Sequence, residues 1–363
     1  MKLVDKKILI ISPDDWGFLS LSKHYYAKEL AKNNDVYFLN PKENEYKSDF
    51  ESSNVTVITD YRTIPGISKL PLKFANSLMK LEVSSILKRI DGHEIDIVWS
   101  FDTSRLFNLK LFTAKFSISH IVDYTENFNF ESLNLSADLC LSVVECVCDR
   151  MKLYNRNVFK IDHGCSSIVT ADEIEFEIKE RSHGVYVGNL NIKYIDWEAI
   201  FMLAYERSDI DFYFYGPLDE KYHLENVYYY KVLELNNVIF KGVIPSDEVK
   251  EVLAKASFCL VCYLYKEFGR QLDNSHKIMQ YLGSGKPIFS SYTYEYRNKN
   301  LLCMYNDTTD LITKFNRFIS DDSDYFKETR VSERLKYASE NTYAMQIVKI
   351  ESIINSTINK LED

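Results

Sequence analysis

The sequence predicts an α/β protein of two doubly wound domains facing each other across a cleft. Three observations carry this prediction. Short β-branched runs alternate with amphipathic helical stretches along the chain, the alternation pauses near His163-Gly164-Cys165-Ser166 and restarts near Gly184, and both halves read β-α-β-α-β-α-β. Sheets of this kind are covered by helices on both faces and take ligands beyond the carboxyl ends of their strands.

In the first half, residues 7–12, 35–39, 55–59, 95–100, 119–123, 139–143 and 158–161 read as strands, each a short apolar run bounded by polar or turn residues. Residues 19–32 have a helical pattern. The charged segment 174–181 reads as the linker between domains spanning 1–170 and 171–340. In the second half, strands are expected at 184–187, 211–215, 237–240, 258–263 and 288–291. Helices are expected up to about residue 206, at 246–255 with Ser246 as N-cap, at 274–282, and at 342–358 within a closing segment 341–363.

Composition narrows the function classes. The 363 residues include 44 basic and 53 acidic side chains, a net charge of -9, which leaves no basic footprint for a nucleic-acid backbone. An apolar fraction of 46% excludes a disordered tail, and 11 Gly with 7 Pro exclude collagen-like and linker-rich designs. Seven Cys without metal-ligand spacing suit a reducing cytoplasm rather than a disulfide framework. Cys146 and Cys148, two apart in a helix-like stretch, read as packing residues. The charged start resembles a signal n-region, but the apolar run 8–11 is too short for an h-region and reads as a buried strand. No stretch approaches a membrane span, so a cytoplasmic protein, soluble or peripheral, is expected.

The most informative segment is Asn274-Ser275-His276-Lys277-Ile278-Met279-Gln280-Tyr281-Leu282-Gly283-Ser284-Gly285-Lys286-Pro287-Ile288. A helix N-terminus presents free N–H groups and a positive dipole end to an anion such as a diphosphate. Lys277 falls in the first turn, where it adds a charge-assisted contact. Gln280 lies on nearly the same face, where its carbonyl suits a ribose hydroxyl.

These residues resemble the motif of GT-B glycosyltransferases, specifically the family 4-like bacterial enzymes of surface polysaccharide synthesis: Lys-x-x-Glu-Tyr-Leu-Ala-x-Gly-Lys-Pro-Val-Val. Gln280 replaces the family's glutamate, and Leu272, with Asp273 beside it, falls at its second acidic position. Further likenesses are Tyr186-Val187-Gly188-Asn189-Leu190, Phe214-Tyr215-Gly216-Pro217, the strand turn of residues 238–245, the loop of residues 11–17 and His163-Gly164. The resemblance implies two Rossmann-like domains in the GT-B arrangement. The first binds the acceptor, the second binds a nucleoside-diphosphate sugar as donor, and the last helix returns to the first. Gly188, Asn189, Gly216, Lys277 and Gln280 are the implied donor-binding residues. No metal and no cofactor are expected, because in this class the helix dipole and basic side chains replace the cation. Asp209-Ile210-Asp211 and Asp322-Ser323-Asp324 spell the Asp-x-Asp of metal-dependent transferases, but the first opens a strand and the second lies in a late acidic turn. The partners implied are the donor and a saccharide or lipid-linked acceptor, in capsule, O-antigen or related polysaccharide synthesis, with retention of configuration.

A base for the acceptor hydroxyl would come from loops after first-domain strands. Asp14, Asp15, Asp102, Asp123, Glu126 and His163 qualify by position, and Asp15, Asp123 and Glu126 are the preferred catalytic candidates. Residues 62–89 are locally basic, with Arg62, Lys69, Lys73, Lys80, Lys88 and Arg89 among apolar residues. The stretch reads either as an amphipathic helix packed on the sheet or as a contact with the inner face of the cytoplasmic membrane. Two other functions share the fold: a sugar-nucleotide epimerase, which needs no acceptor alcohol, and a non-catalytic GT-B subunit supporting an active partner.

Overall fold

The computed structural model describes residues 1–17, 20–41, 54–123, 129–170 and 181–362. The chain forms two compact units. One combines Met1–Gly164 with Tyr343–Asp363, and the other is Cys165–Thr342.

The first unit is built on strands β1 (Lys7–Ile11), β2 (Asp35–Leu39), β3 (Val55–Ile58), β4 (Ile97–Ser100), β5 (Phe116–Ile121), β6 (Leu139–Ser142) and β7 (Val158–Lys160). Helices α1 (Ser22–Leu30), α2 (Leu72–Leu87), α3 (Phe130–Ser136) and α4 (Glu145–Met151) connect them. The order β3-β2-β1-β4-β5-β6-β7 is parallel throughout, so strand order reverses between β1 and β4. Ile8, Leu9, Ile10 and Ile11 are all buried because β1, in the middle of the sheet, is covered on both faces.

The second unit repeats the plan. Its strands are β8 (His183–Val187), β9 (Asp211–Tyr215), β10 (Val238–Gly242), β11 (Phe258–Val261), β12 (Ile288–Ser291) and β13 (Cys303–Tyr305). Its helices are α5 (Trp197–Glu206), α6 (Val227–Leu233), α7 (Val249–Lys255), α8 (Tyr265–Phe268), α9 (His276–Gly283), α10 (Thr308–Ile319) and α11 (Glu328–Ser339). The parallel order β10-β9-β8-β11-β12-β13 reverses between β8 and β11. Helix α12 (Tyr343–Glu362) then packs against α1 of the first unit. Tyr343 stacks on Tyr25 at 5.1 Å and meets Tyr26 edge-on at 4.9 Å, while Ile350 and Ile354 are wholly buried. Gly164 sits beneath this helix: a Cβ there would stand 2.4 Å from the Tyr343 ring.

Several boundaries differ from those read in the sequence. The units divide at Gly164/Cys165 rather than near 170. The reason is that Cys165 N–H donates to Asn341 O at 2.7 Å and Val169 N–H to Gly283 O at 2.9 Å, tying this strip to the second unit. Of the expected linker, residues 174–180 lie outside the described residues. The helix expected from Ser246 begins at Val249, because Glu248 N–H bonds to Pro245 O in a preceding turn. Strand β5 starts at Phe116, three residues before the expected Ser119. None of the seven cysteines is in a disulfide, and no described helix is long and apolar enough to cross a membrane.

Candidate functional site

At the reversal point of the second sheet, the chain leaves β8 through Gly188 and β9 through Gly216, both with φ 150°. Such backbone is favourable only for glycine. The Gly188 N–H donates to Tyr215 O at 2.8 Å, and a Cβ on Gly216 would stand 1.9 Å from Gly188 O. No side chain fits between these strand ends. A Cβ on Gly188 would lie 2.6 Å from the Lys277 Nζ, so the lysine reaches over β8 into space that only glycine leaves.

Lys277 is half-buried on the first turn of α9. Its Nζ donates to the Tyr186 hydroxyl at 2.6 Å, lies 3.9 Å from that ring's centroid and is 5.0 Å from the Tyr263 ring. Two aromatic faces stabilise a cation, but burial away from water outweighs them and holds the ammonium well below its ordinary pKa. The Val187 N–H donates to the Tyr281 hydroxyl at 2.8 Å, fixing α9 against the end of β8. Ser275, at the N-cap, makes no side-chain bond to the helix it opens. A positive helix end, a lysine with no ion-pair partner among the described residues and glycine backbone therefore converge at the place where doubly wound sheets take ligands.

Asp273 is buried four residues before Lys277. Its Oδ1 accepts from the Tyr265 hydroxyl at 3.1 Å, and its Oδ2 has no hydrogen-bond partner among the described residues. Burial pushes its pKa up to about 6. Gln280 is half-buried one turn along α9. Asn189 is exposed and turned inward on its own loop, its Oδ1 accepting from Asn191 N–H at 2.9 Å. The structure thus brings Gly188, Gly216 and Lys277 together and leaves Asn189 at the rim.

The Gly285-Lys286-Pro287 step is structural. Gly285, at φ 70°, ends α9, and its carbonyl accepts a 2.8 Å bond from the Nε of the buried Arg334. Asp209 and Asp211 are also engaged, by Arg207 and by the Tyr213 hydroxyl, and no cluster of three metal-ligating side chains occurs among the described residues.

In the first unit, Asp15 is half-buried after β1, and its carbonyl accepts a 2.8 Å bond from His24 Nε2. His24 Nδ1 accepts from Leu21 N–H at 2.9 Å, and burial lowers this histidine to about 4, so it holds the loop as a neutral ring. Asp14 pairs with Lys23. Asp123 is exposed two residues beyond β5, and Glu126 lies outside the described residues. Asp102 is engaged: it accepts from Arg105 Nε at 2.7 Å, while Arg105 also reaches Tyr61 Oη at 2.5 Å and Ser12 O at 2.7 Å. This group borders a pocket of about 430 Å³ lined also by Ile64, Met79, Glu82 and Phe107. Tyr186, 91 positions before Lys277, and Tyr263, in the loop after a different strand, are partners that nothing local in the sequence marks as its neighbours.

No family model and no curated relative matches the chain. Solved structures do. A lipopolysaccharide outer core galactosyltransferase, WaaB, superposes with a TM-score of 0.64 at 14% identity over 96% of this chain and 99% of that one. Anabaena HepE in complex with UDP and glucose gives 0.66 at 15% identity over 98% and 99%. An alpha-glucosyltransferase in complex with UDP and a 13-mer DNA gives 0.63 at 10% identity over 97% and 100%. At such identities the likeness speaks for architecture, and with the two reversed parallel sheets it shows that this chain has the GT-B fold of two Rossmann-like domains.

Proposed function

We propose that this chain is a glycosyltransferase that takes a sugar from a nucleoside-diphosphate donor and passes it to a saccharide or lipid-linked saccharide acceptor in surface polysaccharide synthesis. The observation that carries the reading is Lys277, held by aromatic rings against glycine backbone at the positive end of α9. In this reading the diphosphate sits at the α9 N-terminus, Lys277 neutralises the charge that grows on it as the glycosidic bond breaks, and the ribose meets Gln280. The Oδ2 of Asp273 offers an acceptor for a donor hydroxyl. The transfer is of the hexosyl type, needs no divalent metal and retains configuration. Asp15, Asp123 and Glu126 are the proposed acceptor-side residues, and the protein works in the cytoplasm at the inner face of the membrane. The similar HepE structure, solved in complex with UDP and glucose, supports UDP as the first probe. Calorimetric titration of UDP with a chelator present tests the reading. Binding that Lys277→Ala weakens is the expected result, whereas no binding of UDP or any other nucleoside diphosphate favours a non-catalytic subunit.

A further inference from the structure

Helix α2 has an outer face that does not fit an ordinary solvated helix. Ala75, Met79, Val83 and Ile86 are buried in the core of the first unit, as an amphipathic helix requires. Away from that stripe the helix is still apolar in part where it is exposed: Phe74 is 67% exposed and Leu81 45%, with Leu72, at the helix start, 53% and Leu70 just ahead at 42%. Interleaved with them, Arg62, Lys69, Lys73, Lys80 and Lys88 are exposed and make no ion pair among the described residues. Residues 62–89 hold six basic side chains and one acidic one, Glu82, which is buried, within a chain of net charge -9.

We infer that this face of α2, with the turn that precedes it, docks on an anionic lipid surface. Large apolar side chains ringed by uncommitted lysines are matched by a bilayer interface, where rings and aliphatic chains enter the acyl boundary while ammonium groups meet lipid phosphates. A protein partner would need a compensating acidic surface. The remainder of this acidic chain would be repelled by an anionic membrane, so the charge distribution sets the orientation as well as the contact. The inference rests on the reading of the acceptor as lipid-linked, which gives a transferase a reason to sit at a membrane. The inner face of the same helix supplies Met79 and Glu82 to the pocket of the first unit.

Co-sedimentation of the full chain with vesicles tests this, comparing phosphatidylcholine alone with phosphatidylcholine mixed with phosphatidylglycerol at low and high ionic strength. Wild-type protein should pellet with the mixed vesicles at low salt and be released as the Debye length shortens. Each lysine removed should reduce partitioning about fivefold, so Lys69→Glu/Lys73→Glu/Lys80→Glu should leave the protein in the supernatant. Phe74→Ser, a change at an exposed position, should weaken binding to the mixed vesicles at low ionic strength. Wild-type protein that stays in the supernatant with anionic vesicles at low salt, or a triple variant that pellets as wild type does, overturns the inference. UDP titration of the same samples separates the two failures: UDP binding without vesicle binding sinks only the docking surface, and vesicle binding without nucleotide binding sinks only the transferase reading.

Discussion

Lys277 and Tyr186 meet twice, through a 2.6 Å hydrogen bond to the hydroxyl and a 3.9 Å approach of the ammonium to the ring centroid. No carboxylate among the described residues pairs with the ammonium, and the lysine enters the site with its pKa depressed by burial. A diphosphate would raise that pKa by favouring the charged form. Nucleotide binding should therefore take up protons, and affinity should fall as pH rises from the free-state pKa toward the bound-state one. Titrations in buffers of different ionisation enthalpy measure the uptake. Lys277→Ala should abolish it and cost on the order of 1.5–3 kcal/mol of binding.

The two glycines of the strand ends should respond differently to the same substitution. In Gly216→Ala the new Cβ meets the rigid carbonyl of Gly188, and the second unit should lose roughly 3–5 kcal/mol of stability. In Gly188→Ala the Cβ meets the movable end of Lys277, so the stability loss should be smaller, about 1–2 kcal/mol, and nucleotide affinity should fall. Thermal unfolding with and without UDP distinguishes the pair. A Gly188→Ala protein that binds UDP as wild type does would show that the lysine is not held for the phosphates.

Gln280→Glu should keep or strengthen nucleotide binding, since a carboxylate is the better acceptor for ribose hydroxyls. Calorimetry is again the measurement. Reduced stability with unchanged affinity would make Gln280 a packing residue.

Asp273 links the site to pH. Its folded-state pKa of about 6 lies above the ordinary 3.8, so between those values the native state holds more protons than the unfolded chain and loses stability as pH rises. Asp273→Asn should remove that slope and stabilise the protein at neutral pH by on the order of 2 kcal/mol. If the Oδ2 serves a donor hydroxyl, the variant should bind UDP normally and a UDP-sugar more weakly. Denaturant midpoints at pH 4 to 7, roughly the span between the two pKa values, and parallel titrations with both ligands check the two halves of this expectation.

Much of the fold is legible because buried parallel strands are short apolar runs: β1 and β2 need no tertiary information. Strand β5 was harder to delimit. Its alternation of Phe116, Ile118 and Ile121 with Ser117, Ser119 and His120 reads as half-exposed, yet every residue is buried. The serine hydroxyls are satisfied from afar, by Asp138 at 2.7 Å and Asn134 at 3.0 Å. The three-residue β13 is too short to register as a pattern. In the site, Lys277 was visible from its place in a helix, but what surrounds it was not, since Tyr186 and Tyr263 come from β8 and the end of β11. Asp102 qualifies by its position after a strand, and its ion pair with Arg105 three residues on is a partner that position alone does not announce.

The return of α12 to α1 makes the first unit discontinuous, with Cys165–Thr342 lying between its two parts. On the ribosome this inverts the usual order of maturation. The second unit is contiguous and can close as soon as it has emerged, whereas the first, although synthesised earlier, must wait for Tyr343, Ile350 and Ile354 to leave the exit tunnel before its α1 surface is covered. Nascent chains of this protein should therefore leave the Tyr25 ring without its Tyr343 partner until α12 has been made, so that the unit begun first is the later of the two to be completed.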